Sequence, residues 1–284
     1  MNRNTPFGAA KKSLGQHFLF DRDLLRRIAL AGGPVEGRTV IEVGPGPGGL
    51  TRALLDAGVA KLIAVEMDDR FAADLASWPE FAAGRLEVQH ADARTIDAPA
   101  LIATAGGSLP ALIVANLPYN VGTPLVVNWL KAGPAGQSWR DTMVLMFQKE
   151  VAERICAAPG EDHYGRLAVL AHGACRAHIA MTLPPGEFRP PPKVDSAVVV
   201  LEPLGPEDAF ADLEALETVS ASAFGQRRKM LRAALKTLGG PLTPDMLLQR
   251  AGIDGTRRAE TLTQAEFRRL AEVWRAAQSQ DTEK

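Results

Sequence analysis

The residues with the most chemical content are Asn116-Leu117-Pro118-Tyr119, which directly follow the apolar run Ala111-Leu112-Ile113-Val114-Ala115. A short apolar run that stops at a polar residue, a proline and an aromatic reads as a buried parallel strand ending at the rim of an open sheet, where ligands bind. The amide oxygen of Asn116, a main-chain carbonyl aimed by the fixed φ of Pro118, and the flat ring of Tyr119 suit an exocyclic amino group on a planar base. The chemistry they suggest is N-methylation of a nucleobase.

Methylation needs a donor, and the upstream sequence offers a site for one. Thr39-Val40-Ile41-Glu42-Val43 is a β-branched strand candidate, followed by Gly44-Pro45-Gly46-Pro47-Gly48-Gly49 and then by Leu50 to Leu55, of helical composition. Glycine has no Cβ, so a strand, glycine turn and helix in this order let the backbone approach a ligand closely. Gly44, Gly46 and Gly49 satisfy the dinucleotide pattern G-x-G-x-x-G, while Gly44, Gly46 and Gly48 satisfy the E-x-G-x-G-x-G pattern of S-adenosylmethionine sites. The glycines alone leave both cofactors open.

The next strand ends narrow the choice. Leu62-Ile63-Ala64-Val65 is a second strand, and Glu66 stands at its end, near the ~20-residue offset where a carboxylate takes the ribose hydroxyls of either cofactor. Leu86-Glu87-Val88-Gln89 is a third, with Asp92 just past it as an acceptor for the amino group of the cofactor's adenine. A nicotinamide site has no use for Asn-Leu-Pro-Tyr at the fourth strand, whereas a base methyltransferase does.

With these motifs in place the chain resembles the bacterial small-subunit ribosomal RNA adenine dimethyltransferases of the A type. The matching stretches include Ser13-Leu14-Gly15-Gln16-His17-Phe18-Leu19, Glu42-Val43-Gly44-Pro45-Gly46, Asn116-Leu117-Pro118-Tyr119-Asn120, Gln148-Lys149-Glu150-Val151, Tyr164-Gly165-Arg166-Leu167, the run from Phe188 to Ser196, and Phe224-Gly225-Gln226-Arg227-Arg228-Lys229. They cover most of the chain in the family's order. The resemblance implies S-adenosylmethionine as cofactor, bordered by His17, Leu19, Gly44, Gly46, Glu66, Asp92 and Asn116. It implies that Asn116, Leu117, Pro118 and Tyr119 hold the target base, with Phe188 stacking on the other face. It further implies a substrate of two adjacent adenines near the 3′ end of small-subunit RNA, within the 30S subunit. His17 is a departure, since many members carry asparagine there.

Composition agrees with this class. The chain has 284 residues, 46% apolar and 23% charged, enough for about two globular domains. No leader-like segment follows Met1 and no apolar run approaches the ~18 residues of a membrane span, so a cytoplasmic monomer without membrane contact is expected. Cys156 and Cys175 form no C-x-x-C, and the five histidines show no ligand spacing; no metal site is expected.

The elements that must position these residues follow from their order. Strands and helices alternate to about residue 203, with Asp141 to Phe147, Ala177 to Thr182 and Ala197 to Leu201 as further strands. This is an α/β, Rossmann-like sheet of the methyltransferase kind in residues 1–203, with a basic N-terminal arm carrying Lys11, Lys12, Arg22, Arg26 and Arg27. Beyond Pro203 no β-branched run occurs, and 204–284 reads as a small all-α domain with helices over 213–224, 227–238, 244–251 and 264–278. The net charge of −1 is uninformative about RNA, but Arg227, Arg228, Lys229, Arg232 and Lys236 run without an acid between them. A helix would set Arg228, Arg232 and Lys236 on one face, and Arg227, Arg228, Lys229 and Arg232 are the expected phosphate contacts.

Three other readings share some of these features: a large-subunit RNA adenine methyltransferase, a non-catalytic RNA-binding assembly factor, and a nicotinamide dehydrogenase. The Pro-Pro-Pro-Lys-Val-Asp-Ser run, the intact Asn-Leu-Pro-Tyr, and the lack of a hydride-site histidine with a partner disfavour them in that order.

Overall fold

The computed structural model describes residues 16–118, 121–133 and 138–282; Lys11, Lys12, Tyr119 and Asn120 lie outside them. In chain order the elements are β1 (Phe18–Leu19), α1 (Arg22–Ala29), β2 (Thr39–Val43), α2 (Gly49–Asp56), β3 (Lys61–Glu66), α3 (Asp69–Ala76), α4 (Pro79–Ala82), β4 (Leu86–His90), α5 (Ala98–Thr104), β5 (Ala111–Asn116), α6 (Gly122–Leu130) and β6 (Arg140–Gln148). They continue with α7 (Lys149–Cys156), α8 (Arg166–Ala174), β7 (Cys175–Leu183), β8 (Phe188–Arg189), β9 (Ser196–Pro203), α9 (Leu213–Gly225), α10 (Leu231–Ala234), α11 (Pro244–Ala251) and α12 (Gln264–Thr282).

Seven strands form one sheet in the order β4-β3-β2-β5-β6-β9-β7. The β3/β4, β2/β3, β2/β5 and β5/β6 pairs are parallel, and β6/β9 is antiparallel. Strands β2, β3 and β5 are buried almost end to end, as expected of a sheet covered on both faces. Their alternate residues, such as Val40, Leu62, Leu112 and Val114, join Ile28, Leu54, Leu75 and Val200 in one apolar core. The chain builds outward from β2 to β4, then returns to lay β5 on the other side of β2. That reversal opens a crevice at the carboxyl ends of β2 and β5.

The chain divides into two compact units. The first comprises Met1–Ala132, Gly136–Ala152 and His178–Glu202; the second comprises Gly133–Ala135, Glu153–Ala177 and Pro203–Lys284. The second unit thus takes up 153–177, which a boundary at 203/204 would leave with the sheet. Inside it, Phe224 packs edge-on to Tyr164 and stacks on Phe267. Among the described residues no helix is long and apolar enough to cross a membrane.

One expected helix is not formed. Residues 226–230 are a turn, and helix resumes only at α10, followed by a single 3₁₀ turn over Leu235–Thr237. The main-chain N–H groups of Leu231 and Arg232 donate to the carbonyls of Arg257 and Gly255 (2.8 and 3.2 Å), where a continuous helix would direct them to the preceding turn. The three-residue helical face of Arg228, Arg232 and Lys236 is therefore absent.

Candidate active site

At the carboxyl end of β2 the chain enters a loop in which Gly44, Gly46 and Gly48 all have left-handed φ (+68°, +54° and +80°). Gly49 does not share that conformation, so the backbone follows the E-x-G-x-G-x-G spacing. The loop is held from two sides: the Gly44 N–H donates to the Val65 carbonyl (2.9 Å), and the Gly46 N–H donates to Glu66 Oε2 (2.9 Å). A Cβ on Gly46 would stand 2.6 Å from the ring of Phe18, so the loop admits no side chain there.

Glu66 closes β3 with only 5% of its surface exposed. Its second oxygen accepts from the Asp68 N–H (2.8 Å). Burial raises the pKa of this carboxyl above the usual range, opposed by main-chain N–H donors from Asp68, Gly46 and Met67. Each oxygen keeps further acceptor capacity toward the cleft, because an ionised carboxylate offers about four lone-pair sites.

Asp92 stands at the next strand end, where Arg94 grips it. The guanidinium reaches both carboxylate oxygens (2.5 to 3.0 Å), the Arg94 N–H adds a 2.9 Å bond, and this pair holds the Asp92 pKa below the usual carboxylate range. At the end of β5, Asn116 Nδ2 donates to the His17 carbonyl (3.0 Å). The His17 ring in turn donates from Nδ1 to the Pro190 carbonyl (2.8 Å). The Pro118 carbonyl accepts from the N–H groups of Val121 and Gly122 (3.1 and 3.2 Å) and so opens α6.

These residues share one cleft of about 880 Å³, lined by His17, Gly44, Gly46, Glu66, Asp92, Asn116, Leu117 and Pro118. Leu19 lies beside it, on a smaller cavity of about 350 Å³ with Glu42, Gly44, Pro45 and Asn116. Glu42 is fully buried, its Oε2 has no hydrogen-bond partner, and burial pushes its carboxyl up to about 8. Tyr119 lies outside the described residues. Phe188 is not brought to the cleft: the pairing of β1 with β8 leaves its ring 0% exposed, in the core cluster that includes Leu19, Leu25 and Leu183. A ring with no free face cannot stack on a base in this conformation, which corrects the expectation for Phe188.

Several lining residues escaped the sequence reading. Phe18, Met67, Arg94 and Val121 also border the cleft, and Met67 is 51% exposed. The available signal was position, since Met67 directly follows the acidic strand end and Phe18 sits inside the Gly-Gln-His-Phe motif. Among the described residues no group of His, Cys, Asp or Glu is placed to hold a metal ion.

In the second unit, Arg227 is tied to Glu260 (3.2 Å) and to the Asp162 carbonyl (2.6 Å), so its guanidinium serves an internal link. Arg228, Lys229 and Arg232 are exposed on and beside the turn.

Comparison with known proteins places this arrangement in a family. The model of the family described as ribosomal RNA adenine dimethylase matches residues 8–275. Two relatives named ribosomal RNA small subunit methyltransferase A are similar to the chain: that of Maricaulis maris is 50% identical over 94% of this chain and 91% of its own, and that of Agrobacterium fabrum is 54% identical over 92% of each. Among solved structures, a dimethyladenosine transferase from Plasmodium falciparum superposes with a TM-score of 0.72 at 25% identity, covering 89% of this chain and 96% of that one. The 23S rRNA methyltransferase ErmE superposes with a TM-score of 0.64 at 26% identity, covering 91% and 99%. The chain belongs to the ribosomal RNA adenine dimethylase family, a family of methyltransferases.

Proposed function

We propose that this enzyme transfers methyl groups from S-adenosylmethionine to the N6 amino groups of two adjacent adenines near the 3′ end of small-subunit (16S) ribosomal RNA. It acts on the RNA within the 30S subunit, as a cytoplasmic monomer, during subunit biogenesis. The observation that carries this reading is the convergence, on one cleft, of a Cβ-free glycine loop, the carboxylate of Glu66 and the amide of Asn116. The names and identity of the relatives support the small subunit as substrate.

The residues fit the cofactor. The glycine loop offers bare backbone at Gly44 and Gly46, and Glu66 keeps acceptors for ribose hydroxyls. When bound, S-adenosylmethionine supplies a methyl group on a sulfonium, with a neutral leaving group. Asp92 offers an acceptor for the adenine amino group once Arg94 yields one of its bonds.

The chain's own groups then act on the target base. An adenine amino nitrogen is a poor nucleophile because its lone pair is delocalised into the ring, and acceptors on its two hydrogens favour the pyramidal form that attacks. Asn116 Oδ1 is one acceptor. The other is the Leu117 carbonyl, because the two lone pairs of the Pro118 carbonyl are both used by α6. Leu117, a buried residue on the lining of the cleft, acts through its main chain. Tyr119 stacks on the base, a contact worth about 1 to 3 kcal/mol. Positioning carries most of the catalysis, and no strongly basic side chain is required.

The test uses small subunits purified from cells lacking the modification, with primer extension to read the methylated adenines and large-subunit RNA as a second substrate. The expected result is dimethylation of small subunits only. Asn116→Ala should abolish turnover while calorimetry finds S-adenosylmethionine bound nearly as tightly as by the parent. Methylation confined to large-subunit RNA, or cofactor affinity lost in step with activity, would overturn the reading.

A further inference from the structure

The amide of Asn116 needs its oxygen toward the base, and an asparagine side chain has no intrinsic reason to present that end. Here the choice is made by the His17 carbonyl, 3.0 Å from Nδ2. A carbonyl can only accept, so the nitrogen must face it and Oδ1 must face away. What, then, holds the His17 carbonyl in place?

Strand β1 is two residues long and pairs with β8 through Phe18↔Arg189 and Leu19↔Phe188. His17 and Pro190 adjoin that pair, one next to each strand. Proline has no N–H to donate, so the main-chain ladder cannot close there. A side chain makes the link instead: the Pro190 carbonyl accepts from His17 Nδ1 at 2.8 Å, and the His17 carbonyl accepts from Asn116 Nδ2.

We propose that His17 is a positioning residue for methyl transfer, its imidazole pinning the arm to the proline-rich loop so that its own carbonyl sets the orientation of the Asn116 amide. This rests on the reading of Asn116 as an acceptor for the target amino group. The requirement is an N–H donor on the δ atom of residue 17, three bonds from Cα. Asparagine Nδ2 occupies that same place in its side chain, so an asparagine at position 17 meets the same geometric demand.

The experiment measures kcat on small subunits and S-adenosylmethionine affinity for His17→Ala and His17→Asn, with melting curves for each. His17→Ala is expected to lower kcat on the order of 10- to 100-fold, the usual effect of a misplaced reacting group. Because His17 also lines the cleft, cofactor affinity should fall by less than kcat does, and His17→Asn should restore kcat to within about 3-fold of the parent. Should His17→Ala fail to fold, His17→Gln, whose donor lies one atom too far out, takes its place with the same expectation. Unchanged kcat, equal losses in the alanine and asparagine variants, or a loss that appears only as weaker cofactor binding would each overturn the proposal. An active Asn116→Ala enzyme would instead overturn the reading beneath it.

Discussion

Two glutamates on neighbouring strands meet different fates because of what surrounds their oxygens. Glu66 sits at the end of β3 with main-chain N–H donors on both oxygens and an open side toward the cleft, whereas Glu42 lies within β2 with Oε2 unpartnered. Removing the first should act on binding: Glu66→Ala should weaken S-adenosylmethionine by roughly 1.5 to 3 kcal/mol, through the loss of charge-assisted bonds. Saturating cofactor should restore much of the rate, and calorimetry that finds parental affinity would refute the assignment. The second should act on stability through pH. The Glu42 pKa is raised by burial from 4.5 to about 8, so between those values the folded protein holds a proton that the unfolded chain has released. Stability therefore falls as pH rises through that window. Glu42→Gln, which mimics the protonated form, should gain on the parent with rising pH, by an amount on the order of a few kcal/mol. Melting curves at pH 5 and pH 8.5 check it, and an equal difference at both ends would show that Glu42 ionises freely.

At the level of elements, the glycine loop separates two reasons for having glycine. Gly44 and Gly46 both have left-handed φ, so alanine is strained at either by about 1 kcal/mol or more. Only at Gly46 does a Cβ also strike a neighbour, the Phe18 ring at 2.6 Å; at Gly44 the nearest atom is 3.7 Å away. Phe18 is braced edge-on against Phe71, so it cannot simply step aside. Gly46→Ala is thus expected to cost cofactor affinity tenfold or more beyond Gly44→Ala, with a lower melting temperature. Equal affinities for the two variants would mean that Phe18 moves freely. The α12 start shows the opposite case, a purely local device: the Thr263 hydroxyl accepts from the Glu266 N–H, and the Glu266 carboxylate accepts from the Thr263 N–H. That signal is complete within four residues.

For the molecule as a whole, 32 basic against 33 acidic residues leave no net attraction for a polyanion, so any RNA contact must come from local clustering. The turn after α9 carries such a cluster, and its geometry splits the four expected contacts: Arg227 is committed to Glu260 and Asp162, while Arg228, Lys229 and Arg232 are exposed. Replacing those three by alanine should weaken binding to small subunits and flatten the plot of log affinity against log salt by about 0.7 to 0.9 for each phosphate no longer neutralised. Arg227→Ala alone should leave that slope nearly unchanged. Cofactor affinity should not move in either variant. Identical slopes for parent and triple variant would mean that the RNA docks elsewhere.

Much of this protein was legible in the sequence because its signals are local. The β-branched runs at 39–43 and 111–115, the glycine spacing after the first, and the acidic residue at each of the next two strand ends all reappear within a residue or two of where periodicity set them. The starts of α11 and α12 are equally local, since the Thr243 and Thr263 hydroxyls cap N–H groups three residues on. What only the tertiary structure decided are the contacts made across long stretches of chain. The donors that break the 227–238 helix find acceptors at 255 and 257, and the β1–β8 pair turns Phe188 into the core. The direction of the Asn116 amide belongs here too. It is set by a carbonyl 99 positions away, on His17, whose ring is itself held by a proline 173 positions further along the chain. No local propensity encodes such a pairing, because its free energy arises only when the sheet has already brought the strand ends together.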